Sequence, residues 1–202
     1  MTAAHFEPYR VIGIDPSLTS VGLAVVECHG QGDYQVTVHQ TLRTSPDKKN
    51  PGGDMLRRLA LIQDGVGGFL RDYFQDGPGS VNRAVAIEDP TGQRIARTKG
   101  TNNPATIARM GLAVGVALGV VLRGYYMAWP VAFVDVQDWM PNTKSGNYRH
   151  ILRHDQVLQF LERVIQFPSG ISEHAMMAAG VARYWIESHR LAGQRQAAGV
   201  KV

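Results

Sequence analysis

Apolar positions along the chain change period several times, and each change marks an element. Tyr9 to Ile14 is an almost continuous apolar run halted by Asp15-Pro16, the pattern of a strand buried on both faces. Residues 20–27 (Ser-Val-Gly-Leu-Ala-Val-Val-Glu) repeat that character as a second strand. From Tyr34 to Leu42 the run alternates, with Tyr34, Val36 and Val38 against Gln35, Thr37 and His39, which predicts a half-exposed third strand. The Pro- and Gly-rich stretch Thr44–Gly53 is a loop. Asp54 is then expected as the N-cap of an amphipathic helix carrying Met55, Leu56, Leu59, Ile62, Val66, Phe69 and Leu70 on one side. After a break at Asp76-Gly-Pro-Gly-Ser, Arg83–Glu88 predicts a short strand ending on an acid. Residues 90–103 form a basic, polar loop, and a helix begins near Pro104 with Gly111, Gly115 and Gly119 spaced by four. Pro130 to Val136 reads as a fifth strand, Asn142 to Tyr148 as a mobile loop, and residues 153–166 and 172–190 as closing helices.

The expected fold class is therefore α/β. A mixed central sheet of about five strands, the first three antiparallel, carries helices on both faces. Residues 1–8 and 191–202 are expected to be tails around a domain spanning 9–190. Composition agrees with a globular domain: 202 residues, 44% hydrophobic and 19% charged. The single cysteine, Cys28, leaves no internal disulfide framework and no multi-cysteine zinc site. Met1-Thr-Ala-Ala-His-Phe-Glu-Pro8 has neither a basic nor an apolar leader segment. The most apolar stretch, Met110 to Leu122, is shorter than the roughly 20 residues that span a bilayer. No membrane partner and a cytoplasmic setting are expected. A net charge of +4 is compatible with a polyanionic partner without requiring one.

Candidate chemistry lies in acids standing where apolar residues belong. Asp15 closes one hydrophobic strand and Glu88 (Ala-Val-Ala-Ile-Glu) closes another. Strands commonly end at polar residues, but a buried carboxylate needs a cation, hydrogen bonds or an exposed strand end. Glu173-His174 opens the last helix, where the glutamate is alternatively a cap partner of Ser172. Asp15, Glu88 and Glu173 offer hard oxygen ligands and His174 a nitrogen ligand or base, a set suited to Mg2+ or Mn2+. Two such ions would activate water and stabilise the leaving oxygen of a phosphodiester.

Ile12-Gly-Ile-Asp15-Pro-Ser-Leu-Thr-Ser-Val-Gly22-Leu-Ala-Val-Val resembles the first-strand motif of RuvC-type Holliday-junction resolvases. Ala86-Ile-Glu88 is similar to that family's second acidic strand end, Pro130–Asp138 to its strand and short helix, and Gly170–Ala182 to its final helix, in matching order over about residues 10–190. Length and divergence suggest the phage-borne branch. The resemblance implies an RNase H-like fold, a symmetric homodimer and metal-dependent paired nicks across a four-way DNA junction. It also implies Asp15 and Glu88 as metal ligands, with two Mg2+ or Mn2+ ions per site. In the family the last helix usually carries Asp or His followed three residues later by Asp. Here Met177 follows His174, so Glu173 with His174 is expected to complete the ligand set. Lys144 is the nearest candidate for the family's assisting basic group.

Two loops concentrate positive charge for DNA: Arg94, Arg97 and Lys99, then Lys144, Arg149, His150, Arg153 and His154. Solvation alone explains basic loops equally well. The aromatic wedge typical of the family is missing between Asp89 and Asn103. The Gly111/Gly115/Gly119 face packs either on the chain's own sheet or against a second copy. Two other readings stay open. One is a junction-binding module without cleavage, suggested by Met177; the other is an actin-like ATP-binding kinase, whose first strand turn is similar.

Overall fold

The computed structural model describes residues 8–30, 32–73, 82–89, 104–124, 129–139, 142–145, 148–151 and 154–197. Strands β1 (Tyr9–Asp15), β2 (Ser20–Gly30), β3 (Asp33–Arg43), β4 (Asn82–Asp89) and β5 (Val131–Asp135) form one sheet in the order β3-β2-β1-β4-β5. The first three are antiparallel, while β1, β4 and β5 run parallel. This is the mixed sheet expected from the sequence. Helices α1 (Pro51–Tyr73) and α2 (Pro104–Arg123) cover one face. The short α3 (Val136–Trp139), α4 (His154–Val164) and α5 (Glu173–Ala197) cover the other.

The strand periodicity sorts residues between two cores. On the α1/α2 face Ile12, Ile14, Leu23, Val25, Val85 and Ile87 meet Ile62, Val66, Phe69 and Leu70. Each such side chain contributes about 1.5–3 kcal/mol when fully buried. On the α5 face the sheet turns small residues outward: Ala24, Ala84 and Ala86 meet Ala175, Ala178, Ala179 and Ala182. Small against small lets a helix lie close to the sheet, and the site depends on this asymmetry.

Four expectations change. Asp54 sits inside the first turn of α1, and Asn50 caps the helix by accepting the Gly53 N–H at 3.2 Å. Pro51 opens the helix, where proline forfeits no bond. Leu56 is 72% exposed rather than on the buried stripe, and Arg58 is buried on α1 instead. The stretch taken for a mobile loop is an antiparallel ribbon, β6 (Asn142–Ser145) with β7 (Tyr148–Ile151). Residues 191–197, expected as tail, continue α5 as helix, exposed over 191–196. Among the described residues no helix is long and apolar enough to cross a membrane.

Candidate active site

Asp15 and Glu88 meet because parallel strands keep register. The β1–β4 ladder pairs Gly13 with Ala86 and Ile14 with Ile87, so the next step sets Asp15 beside Glu88. Alternation along each strand (Val11, Gly13, Asp15 and Ala84, Ala86, Glu88) puts both acids on the α5 side. Glu88 is only 6% exposed. Burial, then the charge of Asp15 and a hydrogen bond shared with it, holds the Glu88 carboxyl well above the usual carboxylate range. Two carboxyls share a hydrogen bond only when one carries a proton. Asp135, at the end of β5, pushes the same way. The Trp139 indole pulls the other way; its N–H is buried without a well-formed hydrogen bond among the described residues.

His174 reaches this pair from the first turn of α5. Ser172 caps that helix: its Oγ accepts the Ala175 N–H at 3.2 Å and contacts the Thr41 hydroxyl. His174 Nδ1 lies 3.1 Å from Asp15 Oδ2, and Nε2 lies 2.6 Å from Ser20 Oγ. The hydrogen bond to Asp15 raises the imidazole pKa above its ordinary 6.5 against the opposing effect of burial. Both ring nitrogens are thus engaged, while 45% of the side chain faces solvent. Ser20, itself buried, anchors the ring. Sequence reasoning passed over Ser20 because a serine at a strand start is ordinary.

The approach of α5 is fixed by two glycines. A Cβ on Gly13 would stand 1.9 Å from the Ala178 carbonyl oxygen, and one on Gly22 would stand 1.9 Å from that of His174. Gly22 pairs with Asp15 across β1 and β2, so the histidine backbone rests directly over the neighbour of the acid. Gly180 likewise forms a seat for the Trp139 ring, whose Cζ3 would lie 2.5 Å from an added Cβ.

Other expected site residues do not join this group. Glu173 is 68% exposed and its carboxylate stands 3.9 Å from His154 Nδ1. That position argues against its completing a ligand set with Asp15 and Glu88: the helix start turns consecutive residues in different directions. Met177 is buried in the apolar cluster with Trp139, Leu161 and Ala178. Lys144 and Arg149 are register partners in the β6–β7 ribbon. Arg94, Arg97, Lys99 and Arg153 lie outside the described residues. Among the described residues no group of three or more histidine, cysteine, aspartate or glutamate side chains is disposed to hold an ion. Asp15, Glu88 and His174 instead form a hydrogen-bonded chain. By charge and donor type they suit a divalent cation, whose charge would relieve the repulsion that otherwise keeps a proton on Glu88.

Introducing Met177→Asp buries a carboxylate among apolar side chains. It is expected to lower stability by about 3–5 kcal/mol, read by thermal denaturation. An equally stable and more active variant would show instead that the site lacks a ligand at this position.

Comparison with known proteins follows the same lines. The chain is 32% identical over 115 residues to a crossover junction endodeoxyribonuclease RuvC of Corynebacterium glutamicum, covering 56% of this chain and 42% of that protein. It is 34% identical over 113 residues to the protein of that name from Thermobifida fusca, covering 53% and 56%. The chain thus spans about half the length of the curated relatives it matches. No family model matches it. Among solved structures, Thermus thermophilus RuvC in complex with Holliday junction substrate superposes with a TM-score of 0.62 at 18% identity, covering 91% of this chain and 96% of that one. A second structure of Thermus thermophilus RuvC gives 0.61 at 19%, covering 90% and 96%.

Proposed function

We propose that this chain, a RuvC-type protein by sequence and with the RNase H-like fold, is a structure-selective DNA endonuclease acting on four-way junctions. The observation that carries the reading is the convergence of Asp15 and Glu88 at adjacent parallel strand ends, under a histidine held by Ser20. Asp15 and Glu88 would hold divalent metal, Mg2+ or Mn2+ and two ions in the full reaction, which would activate water and stabilise the leaving oxygen. The buried walls around Glu88 keep that carboxylate from dispersing its charge into solvent. His174 holds Asp15 through Nδ1 in the resting site. With metal held by the carboxylates, Ser20 would keep the ring tethered at Nε2, and Nδ1 would serve as a nitrogen ligand or base.

The basic residues are assigned to phosphates. Lys144 and Arg149 are register partners on the ribbon, and Arg94, Arg97, Lys99 and Arg153 are assigned to phosphates with them. Replacing Lys144 and Arg149 together by alanine is expected to flatten the log–log salt dependence of junction binding by about one unit for each lost phosphate contact. An unchanged slope in a filter-binding titration removes both from the interface.

Paired nicks need two sites, so a homodimer is part of the proposal. Gly111, Gly115 and Gly119 do not pack on the chain's own sheet: a Cβ on any of them would meet nothing within 4 Å, whereas Ala113, Ala117 and Val121 are buried there. Gly115 and Gly119 line an open groove of about 650 Å3 between α1 and α2, and Leu112 and Leu122 are exposed on the same helix. We assign this face to the partner copy and place the protein in the cytoplasm.

Burial of Met177 in apolar surroundings favours a second reading, junction binding without cleavage. Purified protein, a synthetic four-way junction and Mg2+ or Mn2+ separate the two. Paired symmetric nicks establish the nuclease, tight binding without any nick selects the binding module, and ATP turnover without DNA selects the kinase.

A further inference from the structure

Arg58 is one of four buried polar or charged residues among the described positions, together with Ser20, Thr44 and Glu88. It projects from α1 into the α1/α2 side of the sheet, away from the acids, yet its bonds lead back to them. Its Nε donates to Thr44 Oγ1 at 3.0 Å and its Nη2 donates to the Leu18 carbonyl at 2.9 Å. Nη1 stands 3.5 Å from Asp54 Oδ2. The Thr44 hydroxyl donates to the same Leu18 carbonyl, and the Thr44 N–H donates to the Thr19 carbonyl at 2.9 Å. One guanidinium therefore closes the four-residue turn Pro16–Thr19 that joins β1 to β2. Asp15 stands at one end of that turn and Ser20, the anchor of His174, at the other.

We propose that Arg58 is a positioning residue, whose forked bonds to Leu18 and Thr44 set the separation and orientation of Asp15 and Ser20 and thereby align Asp15 with His174. This rests on Asp15 and His174 forming the metal-dependent site. A buried guanidinium is a poor way merely to hold a helix on a sheet, since an apolar side chain of similar length fills the space without desolvating a charge. What the guanidinium adds is direction: rigid donors that fix a backbone carbonyl in place. Lysine, a single point charge, cannot bridge both acceptors. The turn has its own weaker bonds, with Ser17 Oγ accepting the Thr19 N–H at 3.3 Å and the Ser20 N–H at 3.2 Å, so losing Arg58 loosens the turn without dissolving it.

The test uses the full chain carrying Arg58→Met, Arg58→Lys and the near-isosteric Thr44→Val. Four quantities are measured: melting temperature, Mg2+ binding by calorimetry, junction affinity, and single-turnover cleavage. Amide exchange at Leu18–Ser20 is followed as well. Arg58→Met is expected to remain folded and to bind junction within about twofold of wild type. Mg2+ affinity and single-turnover rate should fall by about 10- to 100-fold. Exchange at Leu18–Ser20 should rise by about tenfold or more. Arg58→Lys recovers part of the loss. If Arg58→Met does not fold, Thr44→Val is expected to show the same pattern at smaller amplitude. Unchanged metal affinity and exchange, or a rate that falls only with the folded fraction, overturns the proposal. If the wild-type protein neither binds Mg2+ nor cuts, the nuclease reading fails. The exchange measurement then judges the clamp alone: wild-type protection in Arg58→Met overturns it, and lost protection upholds it.

Discussion

Asp15→Asn and Glu88→Gln are each expected to abolish cleavage of a four-way junction in Mg2+ while leaving junction affinity within a few-fold of wild type. In the proposed reaction, phosphate contacts made by basic residues would carry affinity, whereas the two acids would carry the chemistry. Exchanging a carboxylate for an amide removes a unit of charge from a site whose proposed work is to hold divalent metal. Loss of several kcal/mol of transition-state stabilisation is a rate reduction of about 1000-fold or more. Glu88→Gln has a second, opposite signature. The Glu88 carboxyl is raised above its ordinary 4.5 by burial and by Asp15. The folded state therefore keeps a proton that the unfolded chain has already lost, so metal-free stability is complete below about pH 4.5 and declines as pH rises toward the folded value. His174, raised above 6.5 by its bond to Asp15, acts in the same direction: its contribution is complete below about pH 6.5 and is lost as pH rises through its folded value. Metal-free wild type should accordingly melt lower at pH 8 than at pH 6, and added Mg2+ should reverse the trend. Glu88→Gln should flatten it and melt about 5 °C or more above wild type at pH 8 without metal. Wild-type cleavage rates in either variant refute the assignment. A metal-free melting temperature that does not fall as pH rises above about 4.5 refutes the account of Glu88 burial.

The largest loss of stability is expected from Gly22→Ala, with Gly13→Ala close behind. In both, the new methyl carbon would lie 1.9 Å from a backbone oxygen of α5, and no side-chain rotation relieves a clash with main chain. The helix must retreat along much of its contact with β1 and β2, at about 3 kcal/mol or more, which for a domain of this size is about 6–12 °C in melting temperature. Activity should fall further than stability, because His174 moves with the helix while Asp15 stays with the strand. Calorimetry beside single-turnover cleavage separates the two effects. Gly22→Ala melting within 2 °C of wild type would show that α5 does not rest on the sheet as described. Ala24→Gly, on the same strand and face, is a useful control because it opens space without a clash.

The succession of strands, and the acids that close two of them, were legible because a polar residue ending an apolar run is a strong local contrast. The residues that orient them were not. Ser20, Thr44 and Arg58 look like ordinary strand-start, loop and helix-surface residues, and their roles exist only through contacts 14 to 154 positions apart in the chain. Leu56 and Arg58 trade places on α1 for the same reason: helical periodicity ranks both by polarity, but a buried acceptor at Leu18 makes arginine the inward residue. The β6–β7 ribbon escaped because Asn-Thr-Lys-Ser and Tyr-Arg-His-Ile carry no apolar alternation, so its pairing leaves little pattern in the sequence. Asp135 was read as part of a strand, yet its field reaches Glu88 because β5 lies beside β4. Glu173 was the converse case: adjacency to His174 in sequence suggested a shared role, and the helix start sent the two side chains to different neighbours.

The order in which the parts arrive has a consequence for synthesis in the cell. Asp15 and Glu88 lie in the first half of the chain, but the imidazole that aligns Asp15 comes with α5, the last element described. A nascent polypeptide still threaded through the ribosome at β5 displays both acids with no helix over Gly13 and Gly22, leaving that face of the sheet bare. On the proposed function, chain order works as a timing safeguard: the centre that would cut DNA is not assembled until α5 has been made.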